Sequence, residues 1–188
     1  MLYLNDSRST YRIMAIDPGT NSIGVSILDL DLLTFKINLI WSDTFHPDKS
    51  LKYMSTYVSR HGDLDAKLQV IEDLLLDLML DYDVDDIVSE SPYMGRFAAA
   101  FGALTKCLGA IDKAVRNYDY TLDLYLIDPS TVKSNVGVSG KSGDKNLVKQ
   151  AVLMLPFINI NNINLHYLDE HSIDSIAVGY GFLMAKIK

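Results

Sequence analysis

A single cysteine, Cys107, stands in 188 residues, which excludes an internal disulfide and any zinc site built from several thiolates. The chain has 5 prolines and 11 glycines, too few for a fibrous or low-complexity protein. No apolar run reaches the length of a membrane span; the best, Leu74-Leu75-Leu76, is broken by Asp77. The stretch 1–10 lacks the basic flank and apolar segment of a secretory signal, so a reducing, cytoplasmic setting is expected. Positive charge is short as well. With 17 Lys and Arg against 24 Asp and Glu, the formal net charge is −7, which argues against a general nucleic-acid coat protein.

Hydrophobic residues at 48% and charged residues at 22% fit one ordinary globular domain. Folding a chain of this mass hides roughly 70% of its extended surface, enough for a core without staples. The charge is unevenly spread. Residues 61–90 hold ten acids against Lys67 alone, whereas 130–150 carry Lys133, Lys141, Lys145 and Lys149 against Asp144. One acidic face, read as solvated helix and turn, and one basic loop are expected, and a polyanion can dock on the second.

Residues 11–17 read as a short apolar strand stopped by Pro18-Gly19. Residues 22–30 and 34–41 continue as strands joined by short turns, an antiparallel meander. From Leu64 the period changes: Leu64, Leu68, Ile71, Leu75 and Leu78 step by four and three, as on an amphipathic helix. Residues 86–90 form a short buried strand, and Phe97, Phe101, Leu104, Leu108, Ile111 and Val115 repeat the helical step. A fifth strand, 122–127, stops at Asp128-Pro129. Residues 132–145 read as loop, 145–155 as a third helix, the Asn-rich 159–164 as a connection and 171–186 as a last helix. That order implies an α/β fold, a mixed five-stranded sheet flanked by helices, with 1–10 as an extension to a domain over 11–188.

Four polar residues fall where this architecture gathers sites. Asp17 ends the first strand and Glu90 the fourth; His171 and Asp174 share one face of the last helix. A lone strand-end Asp is most often a turn former, and Asp174 alone is an ordinary helix acid. The joint pattern carries more. Two carboxylates about 4 Å apart repel by roughly 4 kcal/mol at an effective dielectric of 20, so three need a counter-ion. Oxygen donors with one imidazole suit Mg²⁺ or Mn²⁺ better than structural zinc, and paired ions stabilise the attacking and leaving oxygens of phosphoryl displacement.

The segment Asp17-Pro18-Gly19-Thr20-Asn21-Ser22-Ile23-Gly24 resembles the opening motif of RuvC-type Holliday junction resolvases, in the ribonuclease-H-like superfamily. The similarity continues through Val88-Ser89-Glu90-Ser91-Pro92-Tyr93, Val132-Lys133 and Gly137-Val138-Ser139-Gly140. It closes on His171-Ser172-Ile173-Asp174-Ser175-Ile176-Ala177, in family order over most of 11–186. The resemblance implies a ribonuclease-H-like fold and a Mg²⁺-dependent (or Mn²⁺-dependent) endodeoxyribonuclease cutting four-way or other branched DNA. Asp17, Glu90, His171 and Asp174 would hold two ions per site; some members carry Asp where His171 stands. Lys133 and Lys145 would sit beside the scissile phosphate, although their spacing is one residue longer than usual and leaves Lys141 as an alternative to Lys145. Lys141 and Lys149 are DNA-contact candidates. Tyr93 matches an aromatic that stacks on junction bases, with an interfacial core tyrosine as the alternative. The small residues Ala98, Ala99, Ala100, Gly102, Ala103, Gly109 and Ala110 correspond to a dimer-forming helix, or else allow tight packing on the chain's own sheet. A homodimer follows from the first.

Other readings compete. YqgF-like RNA-processing nucleases share a similar opening but are shorter and lack such a Lys-rich loop. A branched-DNA debranching nuclease of the kind found in phages is a close variant, and a non-catalytic junction-binding module is a further alternative. Sugar kinases and actin-like ATPases use a related D-x-G-T segment but need two such domains, for which the chain is too short. Gly140-Lys141-Ser142 imitates the end of a phosphate-binding P-loop, yet Asn135 stands where that motif needs glycine. His46, His61 and His166 lack metal-ligand spacing, and Cys107, among apolar neighbours, reads as a buried inert thiol.

Overall fold

The computed structural model describes residues 9–92, 98–139, 145–155, 158–160 and 163–187. Strand β1 (Thr10–Asp17) pairs antiparallel with β2 (Ile23–Asp31), and β2 with β3 (Ile37–Phe45), giving the expected meander. The third strand starts and ends later than its alternation suggests, and it contains a bulge. Ile27 faces Trp41 and Leu28 faces Leu39, which leaves Ile40 as the extra residue. A bulge reverses which side chains face each side of a sheet. Ile37 and Leu39 therefore enter one core layer, whereas Ile40, Trp41 and Phe45 border the other.

A 3-10 helix (Pro47–Tyr53) and α1 (Ser55–His61), neither anticipated, lead into α2 (Asp63–Tyr82). Then come β4 (Asp86–Glu90), α3 (Ala98–Tyr118) and β5 (Leu124–Ile127). The chain closes with α4 (Pro129–Asn135), α5 (Lys145–Met154), β6 (Ile158–Ile160), a 3-10 turn (Leu165–Tyr167) and α6 (Glu170–Ile187). β4 joins β1 in parallel and β5 joins β4, so the strand order is β5-β4-β1-β2-β3-β6.

Two stretches correct the sequence reading. Residues 132–145 are not all loop, because α4 runs to Asn135. Asp128 caps that helix by accepting from the Ser130 N–H, and Pro129 opens it with its φ preset. Overlapping the start of the Asn-rich connection lies β6, which pairs in parallel with β3 and adds a short sixth strand at the edge of the five expected. A run of three residues is too short to register as a strand from sequence.

Alternation along β1 sorts the core into two layers. Tyr11, Ile13 and Ala15 pack with Ile173, Ile176, Ala177 and Leu183 of α6, whereas Met14 and Ile16 pack with Ile71 and Leu75 of α2 and Ile111 and Val115 of α3. The acidic stretch 61–90 is only partly a solvated face. Asp73, Asp77 and Asp81 are exposed, but buried Glu72 accepts from Lys113 Nζ at 2.8 Å and Asn117 Nδ2 at 3.1 Å, tying α2 to α3. Asp85 accepts from the Arg12 backbone N–H at 2.7 Å and Asp86 from the Tyr11 hydroxyl, fastening β4 to β1.

Candidate active site

Register brings the two strand-end carboxylates together. Ile16 pairs with Ser89 across the parallel β1–β4 ladder, so the next residues, Asp17 and Glu90, are neighbours. Strand parity aims both toward α6, because Ala15 and Val88, two residues earlier, lie in the α6-side core. The start of α6 meets them there. His171 Nδ1 lies 2.8 Å from Asp17 Oδ2, and Asp174 is close enough to Glu90 to bear on its ionisation. Lys133, in the last turn of α4, is near enough for its charge to act on the same carboxylate.

The electrostatics record this crowding. The Glu90 carboxyl is pushed up to about 8, first by burial, then by the negative charges of Asp17 and Asp174, with Lys133 opposing them. His171 is held above the ordinary imidazole range chiefly by its hydrogen bond to Asp17, against a smaller effect of burial. That hydrogen bond favours the charged form of the imidazole, which offsets carboxylate charge when it is protonated. Three carboxylates are the oxygen donors a hard divalent cation prefers, with one imidazole beside them. Burial and the neighbouring carboxylates together raise Glu90, and a bound cation would offset both by supplying positive charge there, so the donor set fits one. As they stand, no three His, Cys, Asp or Glu side chains among the described residues form a closed cation-holding set.

A hydroxyl network absent from the sequence reading seats α6. Asp169 caps the helix, its Oδ1 accepting from the Ser172 N–H at 3.0 Å and from Thr44 Oγ1 at 2.5 Å. Ser172 Oγ meets Thr44 Oγ1 at 2.8 Å; Ser26 Oγ lies between Ser42 Oγ and Ser175 Oγ. Ser42 and Thr44 point at α6 only because the β3 bulge reversed their parity. Gly24, opposite Asp17 in the ladder, gives α6 room: a Cβ there would lie 2.0 Å from the His171 carbonyl oxygen. Gly19 plays the same part in the turn after Asp17, where a Cβ would lie 2.2 Å from the Ser22 carbonyl oxygen. Asp169 three residues before Ser172 was a legible capping signal; the remaining hydroxyls carried none.

The other expected site residues divide. Lys149 Nζ donates to the Leu168 carbonyl at 2.6 Å and the His166 carbonyl at 3.2 Å, bracing the segment before α6. Lys145 opens α5. Tyr93 and Lys141 lie outside the described residues. Cys107 is buried beside the Gly19 amide, and burial pushes its thiol up to about 12, out of reach of a nucleophile's role.

No protein-family model matches the sequence, and no curated protein matches it. Solved structures do match. Thermus thermophilus RuvC in complex with a Holliday junction substrate superposes with a TM-score of 0.68 at 15% identity, over 94% of this chain and 96% of that one. The yeast mitochondrial Holliday junction resolvase gives 0.64 at 14% identity, over 95% and 80%. The fowlpox virus resolvase with its Holliday junction DNA gives 0.54 at 14%, over 94% and 99%. The fold is the ribonuclease-H-like one. More narrowly, it is the form of that fold found in RuvC-type resolvases.

Proposed function

We propose that this protein is a divalent-metal-dependent endonuclease that resolves four-way or other branched DNA junctions as a homodimer in the cytoplasm. One observation carries the reading: Asp17, Glu90, Asp174 and His171, separated by up to 157 positions in sequence, meet at one end of β1 and β4 inside a resolvase-like fold. Mg²⁺ or Mn²⁺, two per site in this reading, would supply Lewis-acid activation of water and charge neutralisation at the scissile phosphate. Asp17, Glu90, Asp174 and His171 are the groups that would hold them. His171, through its 2.8 Å bond, fixes the rotamer of Asp17. Lys133 places positive charge beside Glu90, where a phosphate oxygen would approach. Tyr93 would stack on a base at the branch point, and Lys141, Lys145 and Lys149 remain candidates for DNA contact.

The α3 face supports pairing of two copies. Ala98, Ala99, Ala100, Gly102 and Gly109 are exposed, and a Cβ on either glycine meets nothing within 4 Å, so these positions do not pack on the chain's own sheet. Two active sites related by a two-fold axis match a junction cut on two strands.

The test is an end-labelled immobile four-way junction incubated with and without Mg²⁺. Paired symmetric nicks that require the metal are expected. Asp17→Asn is expected to lower cleavage more than hundredfold while junction binding persists in gel shift. Metal-independent cutting, or undiminished cutting by Asp17→Asn, refutes the reading.

A further inference from the structure

Between β3 and α2 the charge of the chain changes sign. Residues 46–61 hold Lys49, Lys52 and Arg60 with His46 and His61, against Asp48 alone. Buried Pro47 and half-buried Leu51, Tyr57 and Val58 seat the 3-10 helix and α1, and the outer surface is left to the cations and Tyr53. Lys49, Lys52 and Arg60 are exposed, and Tyr53 is 81% exposed. None of the three cations makes an ion pair among the described residues, whereas Arg12, Lys113, Arg116 and Lys186 each meet a carboxylate. Lys52 Nζ lies 4.8 Å from the Tyr53 ring centroid, so ammonium and phenol share one patch.

The patch grows from the turn that bears Asp17. Phe45, the last residue of β3, pairs with Ile23, the first of β2. Ser22 Oγ meets His46 Nδ1 at 3.2 Å, and Lys67 Nζ donates to Asn21 Oδ1 at 2.6 Å. At about 2 Å per residue, the seven-residue 3-10 helix reaches on the order of 14 Å from this turn. That is less than one turn of duplex, so a duplex arm that leaves Asp17 on this side would pass within reach of it. Asp63 and Asp65, exposed at the start of α2, bound the patch beyond Arg60 and turn DNA away from the acidic helix face.

We propose that residues 46–61 form a phosphate-binding wing for one duplex arm of the substrate. Lys49, Lys52 and Arg60 each take a backbone phosphate, and the Tyr53 hydroxyl donates to another. The wing rests on the junction-nuclease reading for its substrate. Its chemistry would let a chain of net charge −7 hold DNA, because three exposed cations stand on one segment that starts beside the turn after Asp17.

Each phosphate neutralised contributes about −0.9 to the slope of log K against log salt. The test is binding of the parent protein and a Lys49→Gln/Lys52→Gln/Arg60→Gln variant to a labelled four-way junction and to a linear duplex, across 50–300 mM salt. The expected result is a slope shallower by about 2 to 3 on both probes and at least tenfold weaker binding at 0.1 M salt. Cleavage at saturating protein is expected to stay at the parental rate, since none of the three side chains belongs to the cutting site. Tyr53→Phe, lacking only the hydroxyl, is expected to weaken binding severalfold on both probes. An unchanged slope in the triple variant, or no duplex binding by the parent, overturns the wing. Salt-dependent duplex binding that the triple variant loses, in a parent that cuts no junction, upholds the wing and refutes the nuclease reading alone.

Discussion

Gly24→Ala tests how the start of α6 is seated. The added Cβ would lie 2.0 Å from the His171 carbonyl oxygen, 2.4 Å from its carbonyl carbon and 3.1 Å from its Cβ. Ordinary contact begins near 3.4 Å, so β2 and α6 must separate by more than 1 Å, and the obstructing atoms are backbone that no rotamer can move. Separation strains the contacts that seat the helix: Ser26 to Ser175, Ser42 to the Ser172 carbonyl at 3.4 Å, and Thr44 to Asp169 and Ser172. Overpacking costs about 1–3 kcal/mol, and each weakened hydrogen bond adds roughly 1 kcal/mol. A loss of about 2–4 kcal/mol of stability is expected, measurable by urea unfolding. Function is expected to fall further than stability. A displacement of 1 Å at a reacting geometry costs about 10²-fold, and both His171 and Asp174 ride on the displaced turn. Junction cleavage under conditions where the variant is folded is therefore expected to drop about hundredfold, with gel-shift affinity near parental. Cleavage within threefold of the parent would show that the tight approach of α6 to β2 does not set the site.

Asp169 ties stability to pH. Burial alone would raise its carboxyl, but the Ser172 N–H and the Thr44 and Ser172 hydroxyls outweigh that and hold it below the ordinary Asp value. A depressed folded-state pKa contributes stability above the unfolded value and loses it as pH falls through the folded one. Asp169→Ala is expected to cost about 1 kcal/mol at pH 7 and progressively less below about pH 4, by urea melts across pH; a pH-independent cost would refute the cap. Gly102→Leu fills a position with nothing within 4 Å, so the single chain is expected to melt no lower. Sedimentation should shift from dimer to monomer, and an intact dimer would remove the α3 face as the interface.

Much of the protein was legible from local pattern. The apolar runs of β1 and β2, the punctuation at Pro18-Gly19 and Asp128-Pro129, and the four-and-three steps of α2 and α3 are properties of neighbouring residues, and they set the element order. The motifs around Asp17, Glu90 and the start of α6 pointed to a RuvC-like fold, which the structure has. Failures came where short range misleads. Seven residues of α4 were hidden by a composition that reads as loop, and β6 is three residues long. Glu72, in an acidic run, is buried against Lys113 and Asn117 on another helix.

What the sequence determined by itself was therefore which residues end the strands and share the first turn of the last helix. Their meeting was decided by tertiary structure. Parallel pairing of β4 on β1 set Asp17 beside Glu90, and a bulge in β3 turned Ser42 and Thr44 toward α6. The missing side chain at Gly24 let His171 approach Asp17. Pairing partner, register and bulge position depend on energies summed over whole sheets and helices, and no window of neighbouring residues contains that sum.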